Sequence, residues 1–176
     1  MSKANSWLLM GVVVAVGMSA WSAVSHAQAQ GRAAAGAAAN TATGQFTVNG
    51  KAVTLTSSVA RTVKDSFEPT KTGYTLILSD VKGLPDKYGS LDKVTGGTLH
   101  FIELTLGADK SVYGAILHHS AFKNGSMTAS GGIKLDVEKY GPDVLVGKVS
   151  TTAPKTVDGT TVQFTATFTA PVEKEK

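Results

Sequence analysis

Phe46-Thr47-Val48-Asn49-Gly50-Lys51-Ala52-Val53-Thr54-Leu55-Thr56 decides the fold class. An Asn-Gly pair between two alternating runs calls for a two-residue type I′ turn, so the stretch reads as a β-hairpin. In that register Phe46 faces Val53 and Val48 faces Lys51. Phe46, Val48, Val53 and Leu55 then share one face, with Thr47, Ala52 and Thr54 on the other.

The same pattern returns near the C-terminus. Thr156-Val157-Asp158-Gly159 repeats Thr47-Val48-Asn49-Gly50, and Val162 and Phe164 take the places of Val53 and Leu55. The last run points Val162, Phe164, Ala166 and Phe168 inward and Gln163, Thr165, Thr167 and Thr169 outward, a period of two. The middle of the chain shows no repeat, so these are two hairpins of similar design rather than duplicated domains.

Further strands are read over Val59–Lys64, Tyr74–Ser79, Thr98–Leu106, Ser111–His119, Ile133–Glu138 and Val144–Ser150. Gly, Asn and Asp turns separate them. About eight strands of this kind predict an all-β fold, an antiparallel immunoglobulin-like β-sandwich, with a closed β-barrel as the alternative. Leu84, Tyr88 and Leu91 follow Pro85 at i, i+4, i+7 spacing, which predicts a short helix in the long connection 81–97. That connection either covers the end of the sandwich or contacts a ligand, in which case Tyr88 is a ligand residue.

The N-terminus reads as an export signal. Lys3 gives a basic start, Trp7 to Met18 is an apolar run, and Ala27-Gln28-Ala29 fits a cleavage site, with Ser25-His26-Ala27 as a second. The alternative is a retained anchor, since no charged residue occurs from Ala4 to Gly31. Hydrophobicity ends near Met18, so cleavage is the expectation, leaving no membrane span and a periplasmic or secreted bacterial protein. Residues 30–44 are Ala/Gly-rich and read as a flexible leader. Residues 45–172 form one domain, and 173–176 a charged tail.

Composition narrows the function. Without the first 29 of its 176 residues, the chain carries 16 Lys and Arg against 13 Asp and Glu. These charges are interspersed, so no concentrated basic face for nucleic acid exists. The chain has no Cys. Disulfides, thiol catalysis and Cys-zinc sites are therefore excluded, and stability must come from packing and strand pairing.

Three histidines remain after cleavage. If Leu106 pairs with Ser111 across Gly107-Ala108-Asp109-Lys110, His100 and His119 become diagonal neighbours on one face and His118 points the other way. Two imidazoles on one face are candidate ligands for a divalent metal. A third ligand is missing, because that face otherwise offers Ile102, Leu104, Leu106, Tyr113, Ala115 and Leu117. His100, His118, His119 and Tyr88 are thus the candidate ligand-binding residues, and no cofactor is required.

Catalytic motifs are absent: no G-x-S-x-G, H-E-x-x-H, P-loop or G-x-G-x-x-G occurs. Ser90-Leu91-Asp92-Lys93 and Lys71-Thr72-Gly73 match penicillin-recognising motifs in the reverse order, by chance. Asp80, Asp86 and Asp92 are too sparse for a calcium loop and read as solvated turn residues and a helix cap. Asn124-Gly125-Ser126 reads as a turn.

The hairpin 46–56, Leu76-Ile77-Leu78-Ser79-Asp80, Leu99-His100-Phe101-Ile102-Glu103-Leu104, Leu117-His118-His119 and Phe164–Pro171 together resemble an uncharacterised family of secreted or periplasmic bacterial β-sandwich proteins. The resemblance spans nearly all of residues 44–172. It implies export and a β domain, and carries no functional residues. The leading expectation is a non-enzymatic binding module that meets a protein or glycan partner in the cell envelope. A small-ligand or metal-binding protein comes second, and a hydrolase without recognisable motifs third.

Overall fold

The computed structural model describes residues 40–82 and 96–173. The expected export signal, the expected helix with Tyr88 and residues 174–176 lie outside them. Eleven strands run through the described residues: β1 Thr41–Val48, β2 Lys51–Leu55, β3 Ser57–Lys64, β4 Thr72–Ser79, β5 Phe101–Leu106, β6 Val112–His118, β7 Ser126–Ala129, β8 Ile133–Tyr140, β9 Val144–Thr151, β10 Lys155–Val157 and β11 Thr160–Glu173. No helix among the described residues is long and apolar enough to cross a membrane.

The opening hairpin has the expected register, Phe46 opposite Val53 and Val48 opposite Lys51. Asn49 and Gly50 take φ of 49° and 77°, and Asp158 and Gly159 take 48° and 75°. Both pairs thus supply the two left-handed residues that a type I′ turn requires. The two hairpins lie side by side, because β1 pairs with β11. Asn49 joins their tips: its amide donates to the Thr161 carbonyl at 2.9 Å and its Oδ1 accepts from the Thr161 amide at 2.8 Å.

Strand β11 is the hub. It pairs with β1 on one flank and with β9 and β10 on the other, and β8 lies outside β9. Its alternation is as expected, with Val162, Phe164, Ala166 and Phe168 buried and Gln163, Thr165 and Thr167 exposed. At its far end Val172 and Glu173 pair in parallel with Ala60 and Arg61 of β3. From there a second sheet runs β3-β4-β5-β6-β7, each strand antiparallel to the next. The Ser58 hydroxyl sits at the junction and donates to the carbonyls of Thr41 and Thr169 at 2.7 and 2.8 Å.

The inward faces of the two sheets meet in one core. Phe46, Val48, Leu55, Phe164 and Phe168 come from the first, and Leu76, Leu78, Ile102, Leu104 and Leu117 from the second. Fully burying each such side chain contributes about 1.5–3 kcal/mol. The fold is all-β and sandwich-like, and the sheet does not close into the alternative barrel. The second sheet is a meander of five consecutive strands.

Three expectations shift. Thr41–Gly44, assigned to the flexible leader, begins β1 and pairs with Ala166–Thr169. Its small side chains suit this place: a Cβ on Gly44 would collide with the Thr165 carbonyl and the Ala166 backbone. Glu173, assigned to the charged tail, ends β11 and holds Arg61 Nε at 3.0 Å. Strand β7 follows directly on the Asn124-Gly125 turn, where only the turn was expected.

At one end of the second sheet, polar groups are tied off. Asp65 is 3% exposed. Its Oδ1 accepts from the amides of Phe67 and Glu68 at 2.8 and 2.9 Å. Its Oδ2 accepts from the Ala108 amide at 2.6 Å and the Tyr113 hydroxyl at 3.1 Å. These bonds, the Ala108 amide foremost, hold its pKa at about 2. The Tyr140 hydroxyl donates to the Gly107 carbonyl at 2.6 Å beside them.

Candidate functional site

The opposite end of the second sheet is built differently. Asp80 follows β4, His100 precedes β5, and His119 and Ser120 follow β6. Because these strands are antiparallel neighbours, all four residues meet at one edge of the core. The β4–β5 register continues past the strands: the Asp80 amide donates to the His100 carbonyl at 3.1 Å, and the His100 amide donates to Asp80 Oδ1 at 2.9 Å. Leu76 and Leu78, Ile102 and Leu104, and Ala115 and Leu117 face the core. Strand alternation therefore places Asp80, His100 and His119 on that same inward side.

The β5–β6 register differs from the expected one by two residues. The turn is one residue longer, so Leu106 meets Val112, and a bulge at Tyr113 adds a second offset, so Thr105 meets Gly114. An even offset returns every side chain to its face. His100 and His119 therefore stay together, as direct rather than diagonal neighbours, with ring centroids 4.6 Å apart.

His100 holds the site together. Its Nδ1 lies 2.6 Å from Asp80 Oδ2 and its Nε2 lies 3.1 Å from Ser120 Oγ. With the ring proton on Nδ1, that nitrogen donates to the Asp80 carboxylate and Nε2 accepts from the Ser120 hydroxyl. The His100 and Asp80 side chains are 8% and 17% exposed, while Ser120 is exposed. A continuous row thus runs from a nearly buried carboxylate through an imidazole to a surface hydroxyl.

His119 lies behind the row. It is 1% exposed and meets Phe46 and Phe122 edge-on, at 5.2 and 6.2 Å. Its Nδ1 accepts from the Ala121 amide at 3.0 Å, so the ring proton sits on Nε2. That Nε2 is buried and has no hydrogen-bond partner among the described residues. The Lys51 backbone favours a proton on the ring. Burial above all, and then the charge of His100, push the pKa of His119 down to about 4, so the ring is neutral at neutral pH.

His118 belongs elsewhere. It opposes Phe101 and stacks on it at 3.9 Å, with ring planes 14° apart. Phe101 joins Val59, Ile77 and Leu99 in a small apolar cluster on the outer face of the second sheet. Burial lowers the pKa of His118. Among the candidate ligand residues, then, His100 and His119 meet, His118 faces away, and Tyr88 lies outside the described residues.

Both nitrogens of His100 and Nδ1 of His119 are already engaged. Among the described residues no three His, Cys, Asp or Glu side chains gather to hold a metal ion.

Two residues of the row were not expected in any site. Asp80 was assigned as a solvated turn residue, and Ser120 was not singled out. Their spacing, twenty residues on either side of His100, carries no meaning until the strand ends are aligned. No family model, curated protein or solved structure matches this chain, so the site stands on its own geometry.

Proposed function

We propose that this chain is an exported bacterial β-sandwich that binds a small neutral carbonyl compound at the histidine end of its second sheet. One observation carries the reading: a largely buried Asp80–His100 pair is tied to an exposed serine, beside a buried His119 Nε2 that makes no hydrogen bond among the described residues. Buried polar groups are nearly always satisfied, so that nitrogen calls for an explanation. The Asp80 carboxylate behind His100 disfavours anions. The exposed Ser120 oxygen, its proton turned toward His100, presents a lone pair to a carbonyl carbon.

The N-terminal signal pattern supports export, as does the resemblance to secreted and periplasmic proteins. Asp80, His100 and His119 all fall within the segments that carry that resemblance. A second reading rests on the outer face of the first sheet. There the pairing of β1 with β11 aligns exposed Thr43 with Thr167 and Gln45 with Thr165. That hydroxyl-rich face suits an envelope glycan.

The test is a titration of the isotope-labelled chain with butyramide, followed by amide chemical shifts. Shifts at residues 80, 100 and 119–121 that disappear in His100→Ala support the reading. No movement there at tens of millimolar butyramide, or equal movement in the variant, sinks it.

A further inference from the structure

We infer that Ser120 is a nucleophile and that the chain hydrolyses small neutral esters. The inference rests on the ligand-binding reading of the same end of the sheet. It begins from distances already given: Asp80 Oδ2 to His100 Nδ1 at 2.6 Å and His100 Nε2 to Ser120 Oγ at 3.1 Å. Both lie within the reach required of an oriented base and the hydroxyl it serves. An Asp–His–Ser row of this kind is recognised by geometry and roles, not by sequence motif or fold.

A purely structural account of the row explains less. An exposed serine is satisfied by water and needs no buried imidazole. A buried ion pair or charge-assisted pair costs desolvation, so it is weak as a stabilising device. The same sheet closes its other end with Asp65, which uses backbone amides and a tyrosine and no histidine. At the Asp80 end the carboxylate reaches a surface hydroxyl through an imidazole.

The surroundings fix and clear that hydroxyl. Ser120 occupies a turn closed by the Phe122 amide donating to the His119 carbonyl at 3.0 Å. The next amide, of Ala121, donates to His119 Nδ1. Gly97 lies alongside. A Cβ there would stand 3.8 Å from Ser120 Oγ, and its φ of 72° disfavours any side chain.

The chemistry balances with water as the second reactant. Ser120 Oγ attacks the ester carbonyl carbon as its proton passes to His100 Nε2, and Asp80 holds the imidazolium that forms. The carbon–oxygen bond to the alcohol breaks, and His100 returns the proton to the leaving alkoxide. Water then attacks the acyl-serine and gives a proton to His100. The acid leaves, and Ser120 regains its hydrogen.

The experiment treats the full chain with diisopropyl fluorophosphate and with p-nitrophenyl acetate. The first is read by intact mass and peptide mapping, the second by p-nitrophenol release. The expected result is a single phosphoryl adduct on Ser120 that is lost in Ser120→Ala. Ester hydrolysis should fall about 100-fold or more in Ser120→Ala and in Asp80→Asn. Ser120 is exposed, so Ser120→Ala keeps the fold, and an unchanged melting temperature verifies it. Labelling at another residue, no labelling, or wild-type hydrolysis by Ser120→Ala overturns the inference. If butyramide still moves residues 80, 100 and 119–121 while Ser120 stays unlabelled, the nucleophile falls and the ligand site stands. If neither occurs, both fall.

Discussion

Asp65 and Asp80 sit just beyond β3 and β4, at opposite ends of the same sheet. Asp65 is surrounded by three backbone amides and a tyrosine hydroxyl. Asp80 instead spends one oxygen on the His100 amide and the other on the His100 ring. At the first end the cost of burying a carboxylate is offset by fixed dipoles. At the second it is offset by a titratable ring that passes the connection on to Ser120. Identical side chains in equivalent strand-end positions thus separate into a clamp and a relay, and the donor chemistry around them makes the difference.

The largest effect should come from breaking the clamp. Asp65→Ala strands three amides and the Tyr113 hydroxyl, and thermal unfolding should show a melting temperature lower by roughly 10 °C or more. Asp65 also has its own pH window. Its pKa is depressed to about 2, so its contribution is complete above about pH 4, where the unfolded carboxyl ionises. It is lost as pH falls through about 2. Urea titrations across this range should show that acid limb in the wild type and not in Asp65→Asn.

Next in size is the acid response of the relay end. His119 titrates near 4 in the fold and near 6.5 unfolded, so the unfolded chain binds more protons between those values. Stability should therefore fall by roughly 2–4 kcal/mol as pH drops from about 6.5 to about 4. His119→Phe, which keeps the ring against Phe46 and Phe122, should flatten that limb. A limb of equal size in the variant assigns it to other groups. Asp80→Asn should cost less, about 1–3 kcal/mol, by removing the charged acceptor of the His100 ring. Ser120→Ala should be smallest, within about 0.5 kcal/mol, because its hydroxyl is exposed. A large loss of stability in Ser120→Ala would make the relay a second clamp.

Much of this was legible in the sequence, for reasons tied to particular residues. Asn49-Gly50 and Asp158-Gly159 demand one turn type, which sets the hairpin register and therefore which of Phe46, Val48, Leu55, Val162, Phe164 and Phe168 face inward. Parity also placed His100 and His119 on one face, and it survived a wrong pairing because the longer turn and the bulge at Tyr113 add up to an even offset. What stayed hidden depends on where strands end relative to one another. Asp80 and Ser120 have no local signature. They become partners of His100 only when β4, β5 and β6 stop at the same edge. The start of β1 was hidden for the opposite reason. Thr41–Gly44 has little to bury, and its order comes from the strand it lies against.

The central position of β11 has a consequence for timing. Thr167 and Thr43, which touch in the folded molecule, lie 124 positions apart in the chain. Both sheets are joined through a strand that is the last of the eleven to emerge. Contacts between such distant segments form slowly, because loop closure precedes any reward. The first sheet cannot assemble until β11 is available to pair with β1 and β9. A nascent chain lacking that strand therefore stays open, and the barrier to unfolding is gained last.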